Sequence, residues 1–188
     1  MSTIRAFIAI QLPEKARNEL ARINEILAGQ LPPRTVRWVK PEIMHMTLRF
    51  LGDTAVSKLP AIYNALDTSS TKHAPFMLSL DHLGCFPNRK RPRVIWAGIQ
   101  GELGAAAALK SEIDQTLLPL GWEKEERPFQ PHLTIGQIKD SRKLQGINWQ
   151  ADIEKLALPV QAIHLIESEL TPGGPIYTVR HTSQLQLN

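Results

Sequence analysis

Hydrophobic positions along the chain follow two periods. Ala6-Phe7-Ile8-Ala9-Ile10 is a continuous apolar run rich in strand formers. After Pro13, the residues Ala16, Leu20, Ile23 and Leu27 recur at helical spacing, and Gly29 is placed to end that helix. Beyond Pro32-Pro33, residues 36–39 fit a short strand. Residues 45–51 fit a longer one, with Gly52-Asp53 as its turn. Ser57 is positioned to cap a second helix whose buried stripe is Leu59, Ile62, Tyr63 and Leu66, and the polar run 68–72 closes it before a strand over 76–83. The apolar strand Val94-Ile95-Trp96-Ala97 comes next. A third helix follows, carrying Leu103, Ala106, Ala107, Lys110, Ile113 and Leu117 and ending at Gly121. A strand starts at His132, a weaker helix covers part of 148–157, and strands over 160–170 and from Ile176 flank the turn Pro172-Gly173-Gly174.

The order strand, helix, strand is therefore played twice. This pattern predicts an α+β protein: residues 1–188 form a single bilobal unit, with two antiparallel β-sheets, helices on their outer faces, a central cleft and a pseudo-twofold repeat. The halves need not be contiguous in sequence, because terminal strands can cross to pair with the other half.

Composition narrows the setting. An apolar content of 43% over 188 residues is ample for a core, and no low-complexity tract interrupts it. The net charge of +4 favours an anionic partner such as RNA. A single cysteine, Cys85, excludes an internal disulfide and Cys-based zinc sites; it reads as a buried small hydrophobe in a reducing compartment. The apolar run from Ile4 to Leu12 is broken by Arg5 and Gln11, too short for a membrane span and without the layout of a signal peptide. The expectation is a cytoplasmic monomer that does not engage a membrane.

The candidate chemistry lies in a repeat. His45-Met46-Thr47-Leu48 returns 87 residues later as His132-Leu133-Thr134-Ile135, and none of the other four histidines, His73, His82, His164 and His181, has Thr two positions on. Side chains two apart on a strand share a face, so each copy offers one imidazole and one hydroxyl to one side while its apolar pair anchors the other in a core. One His-x-Thr is ordinary half-exposed sheet, but two facing copies make a four-group site. With no attendant nucleophile, two histidines fit general acid–base catalysis: near neutral pH one imidazole can be neutral and the other protonated. Hydrolysis of a cyclic phosphodiester needs that division of labour and no cofactor. Thr47 and Thr134 can donate to the non-bridging phosphate oxygens as charge builds up in the transition state.

The paired motifs resemble those of the 2H phosphoesterase superfamily, specifically its RNA 2',3'-cyclic phosphodiesterase branch, also known as the 2'-5' RNA ligase family. The stretches around residues 5–9, 48–52, 92–96, 127–132 and 174–177 are similar to that family as well, so the resemblance covers nearly the whole chain. It implies a bilobal fold with a central cleft and opening of a terminal 2',3'-cyclic phosphate to a 2'-phosphate. It also implies His45 as proton donor and His132 as proton acceptor. The chain departs from the family at Gln137, where many members carry Arg five residues after the second motif His. The same site is associated with ATP-independent joining of RNA ends through a 2'-5' linkage, the reverse reaction. A non-catalytic module that holds RNA ends is the alternative from a different class, and the intact His and Thr of both motifs argue against it.

A metal held by His45 and His132 alone would be a poor site, having no carboxylate or thiolate beside it. Arg89, Lys90 and Arg91 form with Arg93 a basic loop that reads equally as a phosphate-binding rim for RNA ends and as a solvated surface. Arg127, five residues before His132, is better placed for an RNA contact. Phe7, Phe50, Phe129 and Trp38 can each stack a terminal base, but aromatics in strands are more often core, and the core reading is favoured for Phe7 and Phe50.

Overall fold

The computed structural model describes residues 2–144 and 146–186. Nine strands and three α-helices follow in the order β1 (Thr3–Gln11), α1 (Glu14–Gln30), β2 (Val36–Trp38), β3 (His45–Ala55), α2 (Leu59–Ser70), β4 (Phe76–Phe86), β5 (Val94–Gly101), α3 (Leu103–Leu117), β6 (His132–Ile138), β7 (Ala157–Val160), β8 (Ala162–Thr171) and β9 (Gly174–Gln184).

The strands form an antiparallel sheet of order β7-β4-β5-β6-β3-β1-β8-β9, with β2 added on β6. It divides naturally into two four-stranded halves. Between them, β3 and β6 share a single residue pair, Met46 with Leu133. The same edge of β6 is taken further along by β2, which pairs over Gly136–Ile138. The two expected sheets are thus present as halves that part where the two motifs meet.

Each half draws its helical cover from across the repeat. The helix α1 follows β1 but packs against β6, whereas α3 follows β5 but packs with α2 against β3, β8 and β9. The apolar stripe of α1, Ala16, Leu20, Ile23 and Leu27, is fully buried, as are Ile62 and Leu66 of α2 and Leu109, Ile113 and Leu117 of α3. These stripes join the sheet's Ile4, Ala6, Ile8, Ile10, Met46, Leu48, Leu133 and Ile135 in one core. Phe7, Ala9 and Ile166 form a small second cluster, on the opposite face of β1.

Several boundaries differ from expectation for local reasons. Gly29 lies inside α1, which continues to Gln30 and stops before Pro32-Pro33. Gly52-Asp53 is not a turn: β3 runs through it, and Gly52 takes φ +69° beside a register shift, the behaviour of a bulge. Ser57 sits in a 3-10 turn and does not cap α2; Lys58 precedes that helix without a side-chain cap, and Pro60 opens it. Residues 148–156 form no helix. Trp149 there is 2% exposed, so an apolar anchor rather than a periodic stripe ties that segment to the core. The α-helical part of the third helix stops at Leu117, and a 3-10 turn over Leu118–Leu120 carries it on to Gly121, which closes it in the left-handed region at φ +101°.

Candidate active site

Met46 and Leu133 are 2% and 0% exposed and point into the core. Their strand neighbours must therefore point the other way. His45, Thr47, His132 and Thr134 are all half-buried on that opposite face. In an antiparallel ladder through the Met46–Leu133 pair, position 45 stands across from 134 and 47 across from 132. The two histidines are then diagonal neighbours on one face of adjacent strands.

The two imidazoles are held alike. His45 Nδ1–H donates to the Ile43 carbonyl at 2.8 Å, and His132 Nδ1–H donates to the Gln130 carbonyl at 2.7 Å, in each case two residues upstream. With Nδ1 so engaged, the neutral ring carries its lone pair at Nε2 and the protonated ring carries a donor there. Proton exchange is confined to one atom of each ring.

Their surroundings differ. The His45 ring stacks on Phe7 with centroids 4.5 Å apart, and Tyr177 meets it edge-on at 5.3 Å. Burial among these rings lowers the His45 pKa below the ordinary imidazole value, and the bond to Ile43 opposes the shift only in part. His132 meets Phe86 edge-on at 5.1 Å. Phe86 in turn packs on Trp96, whose ring occupies the space where Gly84 has no side chain: a Cβ there would lie 2.2 Å from the indole. A glycine inside a strand is the sequence signal for such an approach, and it is how this aromatic group could have been found. Tyr177 lies in the 174–177 stretch that resembles the family, which pointed to the segment without giving this ring a role.

The candidate RNA contacts are not equivalent. Arg127 is exposed in the segment that leads into β6, as are Lys90 and Arg91 in their loop. Arg89 is otherwise engaged: its guanidinium lies 4.8 Å over the Trp149 ring, and Nη1 donates to the Trp149 carbonyl at 3.4 Å. It braces the basic loop against residue 149. Gln137 is exposed and pairs across the sheet with Arg37, so a cation stands beside it on β2. Phe129 and Trp38 are half-buried against the core. Phe7 is buried as expected, but on the side of the histidines, and Phe50, assigned to the core, is 62% exposed.

Three of the remaining histidines have local partners. His82 pairs with Asp81 at 2.5 Å, His164 with the Thr182 hydroxyl at 3.0 Å, and His181 with Asp67 at 2.8 Å under the stacked ring of Tyr63. Cys85 is half-buried, and burial raises its thiol pKa. Among the described residues no group of three or more His, Cys, Asp or Glu side chains is arranged to hold a metal ion. No described helix is long and apolar enough to cross a membrane.

The sequence matches the family model described as LigT like Phosphoesterase over residues 10–96 and 99–177. It is 37% identical over 180 residues to a protein of Methanocaldococcus jannaschii named RNA 2',3'-cyclic phosphodiesterase, covering 94% of this chain and 98% of that one. A protein of the same name from Methanothermobacter thermautotrophicus is 34% identical over 179 residues, covering 93% and 95%. The fold is similar to that of E. coli LigT complexed with 3'-AMP, with a TM-score of 0.81, 25% identity and coverage of 98% and 99%. It is also similar to TT0787 of Thermus thermophilus, with a TM-score of 0.77, 30% identity and coverage of 98% and 100%.

Proposed function

The chain belongs to the LigT-like phosphoesterase family, and from that premise we propose that it is an RNA 2',3'-cyclic phosphodiesterase that opens a terminal cyclic phosphate to a 2'-phosphomonoester. The observation that carries this reading is the matched pair of imidazoles on neighbouring strands, each committed through Nδ1 to a backbone carbonyl and, among the described residues, without a hydrogen-bond partner at Nε2. One such group can take a proton while the other gives one, on opposite sides of a single phosphorus.

In the proposed reaction, His132 Nε2 accepts a proton from water as its oxygen bonds to phosphorus. The P–O3' bond breaks in line, and His45 Nε2–H protonates the departing O3'. The product is a 2'-phosphate, and both rings return to their starting state by exchange with solvent. Thr47 and Thr134 donate to the non-bridging oxygens, which gain charge in the transition state. The similarity to LigT complexed with 3'-AMP supports a ribose phosphate as occupant. Ligation is the same displacement with the 5'-hydroxyl of a second RNA end in place of water, which leaves a 2'-5' linkage. Incubation of the protein with a nucleoside 2',3'-cyclic phosphate tests the proposal: accumulation of the 2'-phosphate is expected, and a protein that binds the compound without converting it would be an RNA-end-binding module instead. The substrate chemistry and single thiol together favour a cytoplasmic setting.

Two further expectations arise here. Hydrolysis should be unaffected by EDTA, since proton transfer at Nε2 needs no Lewis acid; activity abolished by chelation and restored by one divalent ion would contradict this. The lowered pKa of His45 sets a pH dependence. Burial penalises its charged form, so the free enzyme loses the protonated acid at lower pH than an ordinary histidine would, and the alkaline limb of kcat/KM should fall below about 6.5. Bound phosphate favours the imidazolium, so the same limb should lie higher in kcat. Limbs that coincide in the two profiles would reject His45 as the acid.

The basic loop is proposed to bind longer RNA through Lys90 and Arg91, with Arg127 from the segment before β6. Replacing Lys90 and Arg91 by Ala should weaken oligonucleotide binding and lower the salt slope by about 0.7 per lost phosphate contact, with little change for mononucleotides. An unchanged slope would mark the loop as solvated surface. Arg89→Ala should chiefly loosen the loop from Trp149.

A further inference from the structure

A third imidazole stands on the face of the two motif histidines. On β4, Leu80 pairs with Ile99 and Leu83 with Ala97, so Asp81 and His82 together stand across from Gly98, a bulge of one extra residue. Ala97 and its partner Leu133 on β6 are both fully buried in the core. Gly98 and its partner His132, the next pair along that ladder, therefore face the other way. The His82 ring fills the space that a side chain at Gly98 would need: a Cβ there would lie 2.9 Å from the His82 Cε1. His82 is thus one strand removed from His132 on the same face, with only a glycine between them. The ring is held on two sides. Its Nδ1–H donates to the Asp81 carboxylate at 2.5 Å, and Trp96 meets it edge-on with centroids 5.3 Å apart. The Lys155 ammonium stands 3.9 Å from the other Asp81 oxygen. Among the described residues His82 Nε2 has no hydrogen-bond partner, and the side chain is 63% exposed, so burial in the core does not account for an imidazole held this firmly.

We infer that His82 and Asp81 form a subsite for the RNA strand that supplies the 5'-hydroxyl in 2'-5' joining, with His82 Nε2 on that strand's first phosphate. This rests on the function and the histidine roles proposed above. In the displacement at phosphorus the nucleophile enters beside His132, while the ribose that carries the cyclic phosphate lies beside His45. When water is the nucleophile, nothing need fill the half beyond His132. When the nucleophile is O5' of an RNA end, its nucleoside must lie in that half, over β6, β5 and β4. O5' gives its proton to His132 Nε2 and bonds to phosphorus, the P–O3' bond breaks, and O3' takes a proton from His45. The first phosphate of the incoming strand hangs on O3' of that nucleoside, one ribose from the attacking atom. His82 stands one strand from His132 in the same direction. A donor to phosphate fixes position without reading sequence, so strand ends of any sequence fit the subsite.

The reverse reaction tests this, since it passes through the same transition state. Cleavage of a 2'-5' linkage returns the cyclic phosphate and frees the strand with its 5'-hydroxyl. The substrates are 2'-5'-linked diadenosine monophosphate and the same compound with a 3'-phosphate on the nucleoside that departs through O5'. Native protein should prefer the phosphorylated compound in kcat/KM, chiefly through KM. In His82→Ala that preference should fall about 10-fold, the lower range for a hydrogen bond to a charged group because the subsite is open to water. His82→Lys should retain the preference, and Asp81→Asn, which loosens the ring, should lose part of it. The ratio of two substrates cancels any general loss of structure. Absence of the preference in native protein, or its survival in His82→Ala, would overturn the proposal. So would failure to cleave either compound by a protein that opens adenosine 2',3'-cyclic phosphate. Failure on the cyclic phosphate itself would instead remove the function on which the subsite rests, and the subsite with it.

Discussion

His132→Ala and His45→Ala should each reduce cyclic-phosphate turnover by at least about 10²–10⁴-fold, the usual worth of one general acid or base, while the protein still folds. Folding should survive because neither imidazole is part of the main core: each half-buried ring bonds only a carbonyl of its own chain two residues away. His45→Ala leaves space over Phe7, so a modest loss of stability is expected there and less at His132. Thr47→Ala and Thr134→Ala should lose less activity than either histidine, since each removes one donor among several to the phosphate. The four losses need not add, because all four groups act on one transition state. Turnover of each folded single variant, with circular dichroism as the folding control, checks this; near-normal turnover in either His variant would reject the pair.

The largest expected effect on stability lies in a buried ionic cluster behind the site. Arg49, Lys110 and Asp114 are 5%, 6% and 3% exposed. Lys110 Nζ donates to Asp114 at 2.5 Å and approaches Glu125 at 3.0 Å, while Arg49 lies 3.3 Å from Asp114 and donates to the Glu123 carbonyl. The cluster joins β3, α3 and the segment leading into His132. Asp114→Ala would leave two buried cations with one half-exposed carboxylate between them. Removing one partner of a buried pair costs about 3–5 kcal/mol, because the remaining charge stays desolvated. For a chain of this size that is a fall in Tm of roughly 6–20 °C. Guanidinium unfolding should show a lower midpoint at unchanged slope, and a loss under about 1 kcal/mol would mean that water or rearrangement compensates the cations.

The repeated His-x-Thr was legible because strand alternation is rigid: once Met46 and Leu133 are recognised as core, the four polar groups have one face left. The helical stripes were legible for the same kind of reason, as Leu20, Ile23 and Leu27 can be buried together only on a helix. What escaped was set by single-residue departures from those periods. Phe50 reads as core under strict alternation from Leu48, and the unpaired Leu48 reverses that reading. Gly52 resembles a turn residue, yet its positive φ serves a bulge inside a continuing strand. Arg89 looked like its neighbours in the basic loop, and only its contact with Trp149, 60 residues away, separates brace from surface. The crossed packing of α1 and α3 is likewise a tertiary fact, invisible to any local window.

The most direct test of the two-histidine mechanism is phosphorus NMR of adenosine 2',3'-cyclic phosphate incubated with the native protein in EDTA. Conversion of the cyclic signal into that of adenosine 2'-phosphate alone is the result expected, since in the proposed reaction water enters beside His132 while O3' leaves beside His45. A cyclic signal that persists with chelator but disappears once a divalent ion is added, or that gives the 3'-phosphate, would contradict it.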